Sequence, residues 1–251
     1  MGQFRARLHG RLPLRGARAA GNHRVPGAAA SGARGMSRLV LFDIDGTLLP
    51  GRSSEARFIA YLLRRGWLGP RQLLSALGFL LRYVGLYGRD VTKKNKSYLA
   101  GLPVDRVEQA ARRFVERRLL PQLFAPTVSR LEEHLSQGDH VVLLSGTPEF
   151  IARPLAAALG AHGYHSSICA TRKGRFAAAR PLQHPYGVEK LNIARKIAAD
   201  VRMPLSEAVA YGDSYSDAIL FRAVGRSVAV MPDRRLREAA AGEGWEILPL
   251  A

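Results

Sequence analysis

Apolar residues fall in two distinct rhythms along this chain. Leu39-Val40-Leu41-Phe42 is a short unbroken apolar run, and it predicts a first strand at 38–43. The spacing then becomes helical. Residues 55–65 carry apolar positions three and four apart, and 71–87 do the same with a higher apolar content. Further helices fit 91–100 and 104–119, and Pro121 and Pro126 punctuate the end of this block. From 127 onward helix and strand patterns alternate. Helices fit 127–137, 149–159, 187–200 and 215–223. Short apolar runs at 141–144, 208–211 and 227–230 read as strands buried on both faces. Residues 165–177 fit two short strands turning at Lys173-Gly174.

Strands that alternate with helices predict an α/β fold, a mostly parallel sheet covered on both faces in a three-layer sandwich. The all-helical stretch 50–125 is then an insert after the first strand, and 36–49 with 126–251 form the core. Residues 1–35 hold seven arginines, no acid and no hydrophobic periodicity, so a disordered Arg-rich extension is expected. They lack the apolar segment of a secretory signal. A start at Met36, or an organellar transit peptide, are the other readings of this stretch. The run at 67–87 is interrupted by Pro70, Arg71 and Arg82 and falls short of the roughly 20 residues that span a bilayer. It reads as a helix buried in the insert, with a lipid-facing surface helix as the alternative.

The formal charge is +18, of which +11 remains without residues 1–35. Such a surplus favours anionic substrates or membranes through its long-range field, and equally describes a solvated arginine-rich surface. No nucleic-acid partner is expected, since no aromatic residue beyond Phe4 is interleaved with the basic residues of 1–35. The single cysteine, Cys169, excludes an internal disulfide and sits in an apolar stretch.

Chemistry concentrates behind the strands. Asp43 and Asp45 follow the first one, and two carboxylates at the edge of a core need a cation or donors to offset their desolvation. An Asp-Gly turn is the plain alternative. Ser145-Gly146-Thr147 follows the run at 141–144. Gly212-Asp213-Ser214 and then Asp217 follow 208–211, and Lys190 opens the helix at 187–200. In an open parallel sheet, ligands bind beyond the carboxyl ends of the strands. Each piece is ordinary alone; together they place carboxylates, a hydroxyl, free amides and one cation on one edge of one sheet.

This ordered set, Phe-Asp-Ile-Asp-Gly-Thr-Leu at 42–48, Leu-Leu-Ser-Gly-Thr at 143–147, Lys190 and Tyr-Gly-Asp-Ser-Tyr-Ser-Asp at 211–217, resembles the haloacid dehalogenase superfamily. The likeness is to its phosphatases with a helical cap after the first motif, the subfamily of phosphoserine phosphatases, and it covers 38–232. It implies a Rossmann-like core and a Mg²⁺-dependent phosphoric monoester hydrolase. Asp43 then matches the nucleophile that forms an aspartyl-phosphate, and Asp45 the acid/base. Ser145, Gly146 and Lys190 match the phosphate-binding groups. The metal ligands would be Asp43, the Asp45 carbonyl, Asp213 and Asp217. An acid/base at Asp45 favours phosphoryl transfer over carbon–halogen cleavage, and a purely phospholigand-binding domain would have no use for it. Two departures bear on substrate. Arg52 stands where the phosphoserine enzymes carry an acid, the nearest acid being Glu55, and the fourth motif reads Gly-Asp-Ser-Tyr-Ser-Asp. The implied partner is a small phosphorylated metabolite, or a lipid phosphate of the phosphatidylglycerophosphate kind met at a membrane surface. The corresponding locations are cytoplasmic or peripheral to a membrane, and the oligomeric state stays open. Arg64, Arg65, Arg82, Lys93 and Lys94, beside the apolar helices at 58–87, would suit a substrate with anionic and apolar parts.

Overall fold

A computed structural model describes residues 23–24, 37–88 and 91–249 of the chain, His23 and Arg24 by their backbone. In chain order the elements begin with β1 (His23–Arg24) and β2 (Leu39–Phe42), then α1 (Ser54–Leu63), α2 (Pro70–Tyr87), α3 (Val91–Lys94) and α4 (Val104–Phe114). They continue with α5 (Ala125–Ser136), β3 (His140–Pro148), α6 (Glu149–Leu159), β4 (Gly163–Ser167), β5 (Thr171–Arg172) and β6 (Arg175–Phe176). The last are α7 (Val188–Val201), β7 (Val209–Gly212), α8 (Ala218–Phe221), β8 (Arg226–Val230), α9 (Arg234–Glu243) and β9 (Glu246–Leu248).

Among the described residues, seven strands form one sheet in the order β1-β4-β3-β2-β7-β8-β9. Neighbours are parallel throughout, except for β1 on β4. β2 is central. Its four residues are buried, and their side chains divide by the period of two that a strand imposes. Val40 and Phe42 join Val141, Leu143, Val209 and Tyr211 under α5 and α6. Leu39 and Leu41 join Val142, Leu144 and Ala210 under α7 and α9. A strand sandwiched in this way has no face for polar residues, which is why its sequence is an unbroken apolar run.

The helical insert lies between β2 and β3. Ser53 caps α1, its hydroxyl accepting from the Ala56 amide at 3.2 Å. Phe58 and Leu62, four apart, are buried. The Phe58 ring meets Phe114 of α4 at 5.2 Å and Phe150 of α6 at 5.3 Å, so one aromatic cluster ties insert to core.

Three expectations change here. The helix expected over 91–100 breaks into α3 and a 3₁₀ turn at Ser97–Leu99. Asn95 causes the break: its side chain takes the Ser97 amide at 3.1 Å and donates to the Ala76 carbonyl at 3.0 Å, competing with the helical ladder. The helix over 104–119 continues beyond Phe114 as a π turn, Val115–Leu119. The helix at 71–87 is not buried. Phe79 is its one buried residue, while Leu73 and Leu81 are each 72% exposed, and Leu74, Leu77, Val84 and Leu86 are exposed too. α2 anchors through its narrow side, and its wider apolar arc faces outward. Of the extension at 1–35 only His23–Arg24 is described; the expectation of disorder otherwise lies outside the described residues.

Candidate active site

Asp43 sits one residue past β2, and its amide still donates to the Tyr211 carbonyl of β7 at 3.0 Å. The strand ladder therefore fixes the backbone that carries it, and the side chain is buried. At the next strand end, Asp213 follows β7 and Asp217 closes a 3₁₀ turn, Tyr215–Asp217. Two glycines make this convergence possible. A Cβ on Gly46, at φ +87°, would lie 2.0 Å from Asp213 Oδ2, and one on Gly212 would lie 2.6 Å from Asp217 Oδ2.

Lys190 lies in the first turn of α7, where the helix dipole and burial both disfavour a cation. Its Nζ donates to Asp43 Oδ1 at 2.7 Å and to Asp217 Oδ1 at 2.6 Å. Burial by itself would lower the Lys190 pKa, but the Asp217 and Asp43 carboxylates outweigh it and hold the ammonium charged. One lysine does not balance three carboxylates. Burial, with Asp217 adding to it against the pull of Lys190, pushes Asp43 up to about 7. Burial and the neighbouring Asp43 and Asp217 push Asp213 up to about 8. An oxygen-only cluster short of positive charge fits a hard divalent cation.

Asp45 is treated differently. Its Oδ1 accepts the Ser54 amide of α1 at 2.6 Å, and its Oδ2 accepts the Thr147 hydroxyl at 2.9 Å. It has its own donors and does not share Lys190. Ser145 and Gly146 lie in the last part of β3, where the register with β4 shifts. The Ser145 hydroxyl is 3.2 Å from Thr147 Oγ1. Gly146 lies against His184, whose Cε1 would be 3.1 Å from a Cβ there. All seven residues singled out from the sequence, Asp43, Asp45, Ser145, Gly146, Lys190, Asp213 and Asp217, line one cavity of 480 Å³.

Sequence reasoning missed the residues that complete this cavity. Thr147 stood in a motif without a task, and Ser54, behind the cavity wall, gives its amide to Asp45 and sets its hydroxyl 3.4 Å from Thr147 Oγ1. His184 gave no signal. Its Nδ1 meets the Ser167 hydroxyl at 2.5 Å, and burial together with Lys96, Lys94 and Lys93 pulls its pKa down to about 3, so the ring is neutral. Of the five basic residues expected near the substrate, Lys93 lines the cavity; Arg64 and Arg65 line a different groove. Glu55 faces the cavity, but its carboxylate pairs with buried Lys96 and accepts the Tyr98 hydroxyl at 2.8 Å.

Comparison with known proteins agrees with this geometry. The profile of the haloacid dehalogenase-like hydrolases matches residues 40–222, and the chain belongs to that family. A probable phosphatase of Mycobacterium tuberculosis is 30% identical over 89% of this chain and 78% of its own length. A phosphoserine phosphatase of the same species is 28% identical over 84% of this chain and 70% of its own length. A crystal structure of a protein of unknown function from Bordetella pertussis superposes with a TM-score of 0.73 at 26% identity, covering 86% of this chain and all of that one. The chain is an enzyme, a hydrolase of the phosphatase type.

Proposed function

We propose that this enzyme is a Mg²⁺-dependent phosphomonoesterase working through an aspartyl-phosphate on Asp43. The observation that carries the reading is the unlike treatment of two carboxylates two residues apart. Asp43 lies in a cluster that is short of positive charge, whereas Asp45 stands outside it with two donors of its own. In this reading Asp43 attacks phosphorus and the ester oxygen leaves with a proton from Asp45. Asp45 then takes a proton from water, whose oxygen displaces phosphate from Asp43. The Ser145 hydroxyl and the Gly146 amide hold phosphoryl oxygens, and Lys190 offsets their charge. Asp43, the Asp45 carbonyl, Asp213 and Asp217 would hold Mg²⁺, which supplies further positive charge to the phosphoryl group when bound. Residues 50–125 act as the cap over a core of 36–49 and 126–251.

The test is hydrolysis of p-nitrophenyl phosphate. Turnover should require Mg²⁺ and be abolished by Asp43→Asn with the fold intact. A folded, Mg²⁺-loaded enzyme that turns over no phosphoester would falsify the reading.

On substrate, a phosphoserine-like metabolite is the first reading, supported by the likeness to a phosphoserine phosphatase of Mycobacterium tuberculosis. A lipid phosphate is the second, supported by the exposed leucines of α2. No helix among the described residues is long and apolar enough to cross a membrane, so contact through α2 would be peripheral. Sedimentation with phosphatidylglycerol vesicles separates the two. The lipid reading expects binding that Leu73→Glu/Leu81→Glu removes, and it fails if the enzyme stays in the supernatant.

A further inference from the structure

The helix that walls the active-site cavity has a second concave side. α1 presents Glu55 and Ile59 to the cavity, but Arg57 and Tyr61, with Arg64 just past its end, to a separate groove of 440 Å³. Ala56 is the one lining residue common to both. The far wall comes from Phe114, at the end of α4, and from Arg118 and Leu119 in the π turn.

Among the described residues five arginines line this groove, Arg52, Arg57, Arg64, Arg65 and Arg118, and no Asp or Glu does. Among the described residues, Arg57 is held by neutral acceptors alone. It donates to the Arg52 carbonyl at 2.9 Å, to Gln122 Oε1 at 2.6 Å, and to the Pro50 carbonyl. These bonds aim the guanidinium without cancelling its charge. Arg65 lies over the Tyr61 ring, 4.4 Å from its centroid. The π turn that carries Arg118 is a rare register shift, and such turns concentrate at functional sites. The surroundings reinforce the field. Residues 50–125 hold fifteen Lys and Arg against five Asp and Glu, whereas the rest of 36–251 is nearly balanced, sixteen against fifteen. Guanidiniums converging on one concavity repel one another, and an anion there removes the repulsion while accepting paired N–H donors.

We propose that this groove is a second binding site, distinct from the active site, for a phosphate-bearing ligand of at least two negative charges. A soluble phosphorylated metabolite and the headgroup of a lipid phosphate share that chemistry. Substitutions in the groove separate such binding from the active site, whose own phosphate-binding groups they leave intact.

The experiment is titration calorimetry of the full chain without metal, with pyrophosphate in one arm and short-chain phosphatidic acid below its micelle concentration in the other. One bound anion per chain is expected in at least one arm, and the arm that binds identifies the source. Arg64→Glu/Arg118→Glu should weaken it at least about tenfold. Turnover of p-nitrophenyl phosphate with Mg²⁺ should stay within about twofold of the parent, which also reports the fold. Arg64→Gln/Arg118→Gln stands in should the double reversal not fold. Arg195→Glu/Lys196→Glu, an equal charge change on α7, should keep the affinity. Absence of binding in both arms overturns the proposal. So does affinity unchanged in the groove variants, or weakened equally by the α7 variant. None of these results touches the active-site reading, which turnover of p-nitrophenyl phosphate tests by itself.

Discussion

Gly46 and Gly212 are as important to the acidic cluster as the acids themselves, because each leaves the space that a carboxylate occupies. Gly46→Ala would place a Cβ 2.0 Å from Asp213 Oδ2 at a backbone φ of +87°, so Asp213 must move. A displacement of about 1 Å in such a site costs on the order of 100-fold in rate. The expected outcome is a kcat loss of that order and a raised Mg²⁺ requirement for half-maximal turnover. Wild-type Mg²⁺ dependence in this variant would mean that Asp213 does not serve the metal. Much of the site was legible at this scale, since Asp43, Asp45, Asp213 and Asp217 follow strands, Ser145 lies late in one and Lys190 opens a helix. Their supporting bonds were not. Thr147 meets Asp45 across 102 positions, and His184 meets Ser167 from an irregular loop, so no local pattern links either pair.

α2 shows what periodicity conveys about an element and what it leaves out. Its apolar spacing announced a helix, but apolar residues cover more than one side, so the pattern could not say which side is anchored. Phe79 settles it, being buried where the leucines are not. Phe79→Ala should cost about 3 kcal/mol in urea unfolding. Leu73→Ser and Leu81→Ser should each change stability by less than about 0.5 kcal/mol, as surface substitutions do. Comparable losses at all three positions would show that the leucines are covered in solution. The break in 91–100 was equally hidden. Asn95 is an unremarkable residue in a helical window until its side chain finds the Ala76 carbonyl on another element.

For the molecule as a whole, folding concentrates charge that it only partly neutralises. Asp43 at about 7 and Asp213 at about 8, against an ordinary 3.8, keep protons in the folded state that the unfolded chain has released. Their contribution to the stability of the metal-free protein is full below about 4 and is lost as pH climbs through about 7 to 8. In the proposed reading Mg²⁺ would take the place of those protons. Its stabilisation, read as the rise in Tm, should therefore be larger at pH 8 than at pH 5, and an equal rise at both would contradict the account. The alternating order of the sheet was legible because β2, β3, β7 and β8 each contain an unbroken apolar run, whereas β4, Gly-Tyr-His-Ser-Ser, does not. β9 and the polar helix α9 escaped because the former is three residues long and the latter buries little beyond Leu236 and Ala240. The bond from the Ser54 amide to Asp45 has a consequence on the same scale. In the proposed reading the proton donor is held jointly, by the Thr147 hydroxyl of the core and by the first residue of α1 in the insert. Lifting the insert to admit a substrate would release one of these two bonds in the same motion, so that the acid regains its full hold only once the chamber has been shut against bulk water.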